Sequence, residues 1–377
     1  MLTPLGRGTT AASVVLYAAG WWLGYPEPAA LALAAAAAVG GALLWTLPKP
    51  RLDVRREIAP LKVVRGEPAV GVLHVANAGR AIRAGLVASD AAGSTTVEVP
   101  IPRLRAGAVR TVTYRLPTDR RGEIPMGPLR LIRADPLGLA RRVREYGRPR
   151  TLLVHPRTIG LPPMPSGRAH HLEGPTSDRA PAGTVTFHSL REYVIGDDLR
   201  HIHWKSSART GTLMVRQLVD ASLPSTTIVI EARPGLYREP DDFELAVDAA
   251  ASVAAGACRA NFPVRILTGS GPVAETRGGS EDVEAVLDRL ARVEPAEGPD
   301  STVDIVRRVR AGGSLIVVTP GGADLSRISA VRNRFDRVVC VRVRPDGPAP
   351  GLPGVTVVDV RELDELGAAW QRARRGP

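Results

Sequence analysis

The chain divides by the rhythm of its apolar positions. Residues 10–25 (TAASVVLYAAGWWLGY) and 29–47 carry no charge, and Pro26-Glu27-Pro28 separates them. Such runs predict two helices; the second is long enough to cross ~30 Å of hydrocarbon, while the first would need its flanks. Trp21, Trp22 and Tyr25 sit beside the proline turn and Trp45 near the far end, where interfacial aromatics gather. Arg7 precedes the pair and Lys49, Arg51, Arg55 and Arg56 follow it, whereas the turn carries only Glu27. By the positive-inside rule both ends are cytoplasmic, so residues 1–50 are expected to form a transmembrane helical hairpin with the remainder on the inner face.

Beyond the hairpin the period falls to two. Short runs (LKVV, AVGVLHVAN, IRAGLVAS, TTVEVPI, VRTVTYRL, GPLRLIR) are cut by turn residues such as Asn77-Ala78-Gly79 and Ala92-Gly93. Short strands without helices predict a β-sandwich over residues 51–150. A linker and a charged segment span 151–222. From 223 to 377 the strands become continuously apolar: 226–231 (TTIVIE), 264–268 (VRILT), 314–319 (SLIVVT), 337–343 (RVVCVRV) and 355–360 (VTVVDV). Amphipathic helices lie between them, opening at Asp241 with Glu244 three residues on and at Ser301 with Asp304 three on, the spacing of a capping box. This alternation predicts a parallel sheet covered on both faces, hence a doubly wound α/β domain in an α+β multidomain chain.

Composition adds little about partners. The formal charge is +12 and the pI about 10.6, which would suit nucleic acid or an anionic membrane. The excess is nearly all arginine, with lysine only at Lys49, Lys62 and Lys205, a skew that codon bias in a GC-rich genome produces without selection for binding. Aromatic residues are 4% of the chain, too few for a base-stacking platform, and no specific nucleic acid is expected. Cys258 and Cys340 are far apart in apolar surroundings and resemble no disulfide framework.

The densest chemistry lies in YVIGDDLRHIHWKSSAR, Tyr193 to Arg209. Read as a strand after a turn at Gly196, it places Arg200, Ile202 and Trp204 on one face and His201, His203 and Lys205 on the other. Asp197 and Asp198 would pair with Arg200 or Arg209, and Thr210-Gly211-Thr212 would turn the chain back. The expected product is a salt-bridged hairpin with Trp204 packed in an interdomain core. Three chemical readings compete. Asp198, His201 and His203 could complete a metal-dependent hydrolase site, with His170, His171 and His188 upstream. Ser206, His203 and Asp198 could form a triad, although no nucleophile elbow is present. Arg200, Lys205, Arg209 and Arg216 with Trp204 could clamp nucleic acid.

The string R-E-Y-x-x-G-D-D-x-R-x-I-x-W-x-x-x-A-R from Arg191 to Arg209, followed by L-M-V-R, resembles the hallmark of the bacterial family called domain of unknown function 58. Upstream, Arg121-Gly122, Gly127-Pro128 and Asp135-Pro136-Leu137-Gly138-Leu139 resemble a second segment of that family, with Leu137 where phenylalanine is usual, so the likeness extends over nearly the whole chain. The resemblance implies a β-sandwich followed by a von Willebrand factor A-like domain. It also implies company with MoxR-type AAA+ ATPases and transglutaminase-like membrane proteins. The A-type metal site wants D-x-S-x-S, because a carboxylate and two hydroxyls supply hard oxygen ligands. Here the strand ends Glu231-Ala232-Arg233-Pro234-Gly235, so no metal is expected, and Glu231 should pair with Arg233 or cap a neighbouring helix. Glu231, Thr268 and Thr319 mark the crevice at the strand ends where a partner peptide could dock. The expectation is a non-enzymatic, membrane-anchored cytoplasmic adaptor without a cofactor, in which Tyr193, Gly196, Asp197, Asp198, Arg200, Ile202, Trp204 and Arg209 serve a partner.

Overall fold

The computed structural model describes the chain apart from residues 48–51, 80–81, 83–85, 165–184, 195–196, 221–224, 298–301 and 376–377. It divides into two compact units, Met1–His155 and Pro156–Pro377.

The first unit opens with helices α1 (Pro4–Leu23) and α2 (Pro26–Thr46). Pro26-Glu27-Pro28, expected as the turn, instead forms the first turn of α2, because proline lacks only an N–H that a helix start leaves unused. The reversal shrinks to Gly24, at φ 70°, and Tyr25. The helices touch closely: the Ser13 hydroxyl donates to the Ala32 carbonyl at 2.7 Å, and Gly20 lies against the backbone of Ala29. Among the described residues α2 is the helix long and apolar enough to cross a membrane, with a mean hydropathy of 1.8.

Ten strands follow: β1 (Leu52–Ala59), β2 (Lys62–Val64), β3 (Ala69–Asn77), β4 (Leu86–Ala92), β5 (Thr95–Ile101), β6 (Val109–Leu116), β7 (Gly122–Met126), β8 (Leu129–Ala134), β9 (Arg141–Tyr146) and β10 (Arg150–His155). They form a sheet β1-β3-β6 and a larger one in the order β2-β10-β7-β4-β8-β9, with β5 also paired to β4. Strict alternation along β3 buries Ala69, Leu73 and Val75, while Val70 and Val72 lie on the more exposed face. The buried face shares one core with Leu86, Leu131 and Leu152 of the larger sheet. A polar bolt crosses this core. Arg56 on β1 donates from Nη1 to Asp90 on β4 at 2.5 Å and to the Gly127 carbonyl at 2.6 Å, and the Tyr114 hydroxyl on β6 donates to the other Asp90 oxygen. The Asp90 side chain is wholly buried, so it needs both donors. Gly71 leaves the space that the Tyr114 ring fills.

The second unit holds β11 (Val185–Glu192), α3 (Trp204–Thr210), β12 (Met214–Asp220), β13 (Thr226–Ile230), α4 (Pro240–Arg259), β14 (Val264–Thr268), β15 (Gly271–Thr276), α5 (Asp282–Ala291), α6 (Thr302–Arg308), β16 (Ser314–Pro320), β17 (Arg337–Val343), β18 (Thr356–Val360) and α7 (Leu363–Arg375). Strands β15-β14-β13-β16-β17-β18 make one sheet, parallel except for β15, an antiparallel edge that the sequence pattern did not predict. Successive residues of β13 serve opposite cores: Ile228 and Ile230 join α4 and α7, and Val229 joins Ile305 and Val306 of α6. The α4 cap also differs from expectation. Pro240 starts the helix, and the Asp242 carboxylate, not Glu244, reaches back to the Glu239 N–H at 3.3 Å. Ser301 lies outside the described residues. A strap at 156–164 is pinned on α4 and α7: Asp248 accepts from Arg157, and the Trp370 indole donates to the Pro162 carbonyl at 2.8 Å.

Replacing Asp90 with alanine leaves the Arg56 guanidinium buried without its counter-charge and should cost about 3–5 kcal/mol. Tyr114→Phe removes one hydrogen bond to that charge and should cost about 1.5–3 kcal/mol. Denaturant unfolding of the full chain and both variants measures the two losses.

Candidate functional site

Strands β11 and β12 pair antiparallel, with Arg191 opposite Val215 and Glu192 opposite Met214, and the segment between them closes into an arch. The Tyr193 N–H donates to the Leu213 carbonyl at 2.7 Å and the His203 N–H to the Met214 carbonyl at 2.8 Å. Asp197 locks the first limb. Its two oxygens accept from both terminal nitrogens of Arg191, each at 2.7 Å, and one also accepts from the Val194 N–H at 2.9 Å. The Arg191 hydrogen bonds, then that of Val194, hold the Asp197 carboxyl below its ordinary range. Asp197 therefore pairs with Arg191, and the expected pairing with Arg200 or Arg209 does not form. Gly196 lies outside the described residues.

The expected strand through residues 200–204 is absent. Asp198 instead accepts the Arg200 N–H at 2.9 Å and starts a 3₁₀ turn, Leu199–His201. His203 caps α3, with Nδ1 accepting the Ser206 N–H at 3.2 Å and lying 2.8 Å from the Ser206 hydroxyl. Gly211, at φ 76°, ends the helix. These local side-chain bonds compete successfully with a ladder, the usual effect of short polar residues near a backbone. Ile202 keeps one bridge to Val215, and both are buried. Ser207 ties the helix to β12, donating to the His203 carbonyl and accepting the Met214 N–H at 2.8 Å.

The arch exposes apolar and cationic side chains. Trp204, expected in an interdomain core, is 66% exposed, and Val194, Leu199 and Leu213 are 63%, 61% and 42% exposed. Arg200, Lys205 and Arg209 of the same segment are exposed too. The hydrolase and triad sets do not assemble: among the described residues no three His, Cys, Asp or Glu side chains converge, and His203 Nδ1 is occupied by its cap. The side chains of His170, His171 and His188 lie outside the described residues. Cys258 and Cys340 are buried free thiols, and burial pushes Cys340 up to about 12.

At the end of β13 the Glu231 carboxylate accepts from Arg233 Nε at 2.9 Å, Arg233 Nη2 at 2.8 Å, the Arg233 N–H at 3.2 Å and the Thr302 hydroxyl at 2.7 Å. Thr302 is the first residue of α6. Four donors occupy a group with about four lone-pair positions. Gly235 lies in the short 3₁₀ turn that follows. Glu231, Thr268 and Thr319 are all buried, so the side chains expected to mark a docking crevice are not offered to a partner.

Residues 189–368 match the family described as Protein of unknown function DUF58. The match takes in a little under half of the chain, and the DUF58 likeness is carried by that stretch. The matched stretch starts within β11 and ends within α7, so it contains the arch and the α/β sheet, while the helix pair, the β-domain and the segment from Arg121 to Leu139 lie outside it. Among solved structures the chain is similar to solution and crystal structures of a CARDB domain from Pyrococcus furiosus, the crystal form in complex with di-metal ions. Identity is 14% to each; the likeness covers 29% of this chain and 97% and 96% of theirs, with TM-scores of 0.22 and 0.21. No curated protein matches.

Burial pushes the Glu231 carboxyl up, but the Arg233 and Thr302 hydrogen bonds outweigh it and leave the group below its ordinary 4.5. The unfolded chain then binds this proton more readily than the folded one. The stabilisation is complete above pH 4.5 and is lost as pH falls through the lower folded value. Acid unfolding of Glu231→Gln, followed by circular dichroism, should lose the part of the pH slope that lies below 4.5.

Proposed function

We propose that this protein is a membrane-anchored adaptor whose arch is its contact surface. In this reading α1 and α2 both cross the bilayer, the soluble units face the cytoplasm, and the α/β sheet is of the von Willebrand factor A-like kind implied by the resemblance in the motif. The partner that resemblance implies is a MoxR-type AAA+ ATPase, with a transglutaminase-like membrane protein as a further component. Envelope assembly or remodelling would be the setting.

One observation carries the reading. The arch is fastened by its own Asp197, Asp198, His203 and Ser207, yet the same segment exposes Trp204, three aliphatic side chains and three cations. Large apolar side chains on a locally tied scaffold are the composition of an interface anchor, for which tryptophan and arginine are enriched. The contact of His203 with Ser206 is the one feature favouring hydrolysis, and the capping geometry accounts for it.

Two substitutions separate surface from scaffold. Trp204→Ala should leave the melting temperature of the full chain unchanged and abolish recovery of an AAA+ ATPase from solubilised membranes. Ile202→Ala should instead cost about 2–5 kcal/mol of stability, because it empties a buried site. Equal recovery with Trp204→Ala and the unaltered protein would remove the arch as the contact surface. Protease protection in inverted vesicles tests the orientation: the soluble units should be cleaved there and protected in intact cells.

A further inference from the structure

The helix pair meets the β-domain through a built joint. Residues 1–3 pair antiparallel with 139–141: Leu2 bridges Ala140, the Thr3 N–H donates to the Leu139 carbonyl and the Arg141 N–H to the Met1 carbonyl, both at 3.0 Å. The Thr3 hydroxyl donates to the Gly138 carbonyl at 2.6 Å and caps α1 by accepting the Gly6 N–H. Gly6 lies so close to the Leu139 carbonyl that a side chain would not fit. The receiving loop is shaped by buried Asp135, whose oxygens accept the N–H groups of Leu137 and Ala140 at 2.8 and 2.5 Å. Leu139 and Ala140 then pack on Val39 and Ala42 of α2.

Arginines gather at this joint. Arg142 donates to the carbonyl of Leu47, the residue after α2, at 2.9 Å, which places it where the apolar run ends. Arg144, two residues along β9, shares its face of the strand, and Arg141, on the other face of this strand, borders the pairing with residues 1–3, so the cations flank the joint on both sides of β9. Arg7 is exposed within two turns of the α1 start. Among the described residues none of these four arginines forms an ion pair with a carboxylate. The nearby acids are engaged: Asp135 by backbone N–H groups and Glu145 by Arg130. Trp45, 52% exposed, stands at the same end of α2. Uncompensated guanidinium groups at the level where an apolar span ends match the phosphate layer of a bilayer, and guanidinium binds phosphate through paired donors.

We propose that this joint binds the headgroups of anionic phospholipids, through Arg7, Arg141, Arg142 and Arg144. The proposal rests on the reading that α2 crosses the membrane. Bound headgroups would neutralise the arginines where the β-domain meets the lipid and fix how that domain stands on the surface.

The test uses the full chain in mixed micelles, with bound lipid counted by native mass spectrometry. Phosphatidylglycerol should be retained over phosphatidylcholine. Arg141→Gln with Arg144→Gln should reduce that preference roughly fivefold per arginine, and the corresponding lysine pair, which keeps the charge, should restore most of it. Arg142 is left in place because it also closes α2. Equal retention of the two lipids, or unchanged preference in the glutamine variant, overturns the proposal. So does inorganic phosphate that displaces phosphatidylglycerol at equal concentration, since it would make the ligand a free anion. An alkaline carbonate wash of membranes tests the underlying reading separately: release of the chain refutes the membrane span, whereas retention without lipid preference refutes only the headgroup site.

Discussion

A carboxylate drawn into a folded joint has to find its donors already in place, and five fixed points of this protein are each organised around one such group. Asp90 bolts the two sheets of the β-domain, and Asp135 shapes the loop that receives the helix pair. Asp197 closes the arch, Glu231 seals the end of the α/β sheet, and Asp248 holds the strap on α4. At four of these five an arginine is a donor, and at Asp197 and Glu231 its planar fork satisfies both carboxylate oxygens from one direction. At those two sites a lysine would bring a single point charge and lose the paired geometry.

This use of acids has a consequence for the surface. The chain has 38 acidic residues against 50 basic ones, and several of the acids are spent inside joints. Each pairing removes one charge of either sign, so the excess of twelve cations stays outside them, in part at the helix joint and on the arch. A pI near 10.6 reads from composition as codon bias or a nucleic-acid signal. In the structure some of those arginines are architecture, and others stand without a carboxylate at the helix joint and on the arch.

Strong periodicity was legible and weak periodicity was not. The runs at 69–77, 95–101 and 109–116 coincide with β3, β5 and β6, and the apolar strands of the α/β sheet fall where their runs lie. Strands β1 (LDVRREIA) and β9 (RRVREY) escaped because partly exposed positions carry arginine and glutamate, so the alternation lacks contrast. β7 begins with glycine and contains Pro125, both discouraging signals. The arch departs from the expected strand for a different reason. Three alternating residues suggested a strand, but Asp198, His203 and Gly211 are cap residues, and a five-residue ladder on one side loses to caps that satisfy backbone groups at once. The Glu231 pairing with Arg233 was legible because the partners are two residues apart. The Arg191 pairing with Asp197 was not, because it depends on the β11 ladder to bring Arg191 to the mouth of the arch.

The exposure of Trp204 is the least legible feature and the one with most functional content. An apolar residue in a charged string suggests a buried anchor, and Ile202 two residues earlier takes that role. With Ile202 bridging Val215 and His203 capping α3, the helix is oriented before any partner arrives, and the Trp204 ring has few internal contacts to give up. A partner would then meet a surface whose backbone ordering cost has been met in folding, which favours affinity per unit area over a flexible loop of the same composition. The neighbouring Arg200, Lys205 and Arg209 favour an occupant that brings carboxylates alongside an apolar pocket. Asp197 is held in its bidentate pair with Arg191 and so does not compete for those cations.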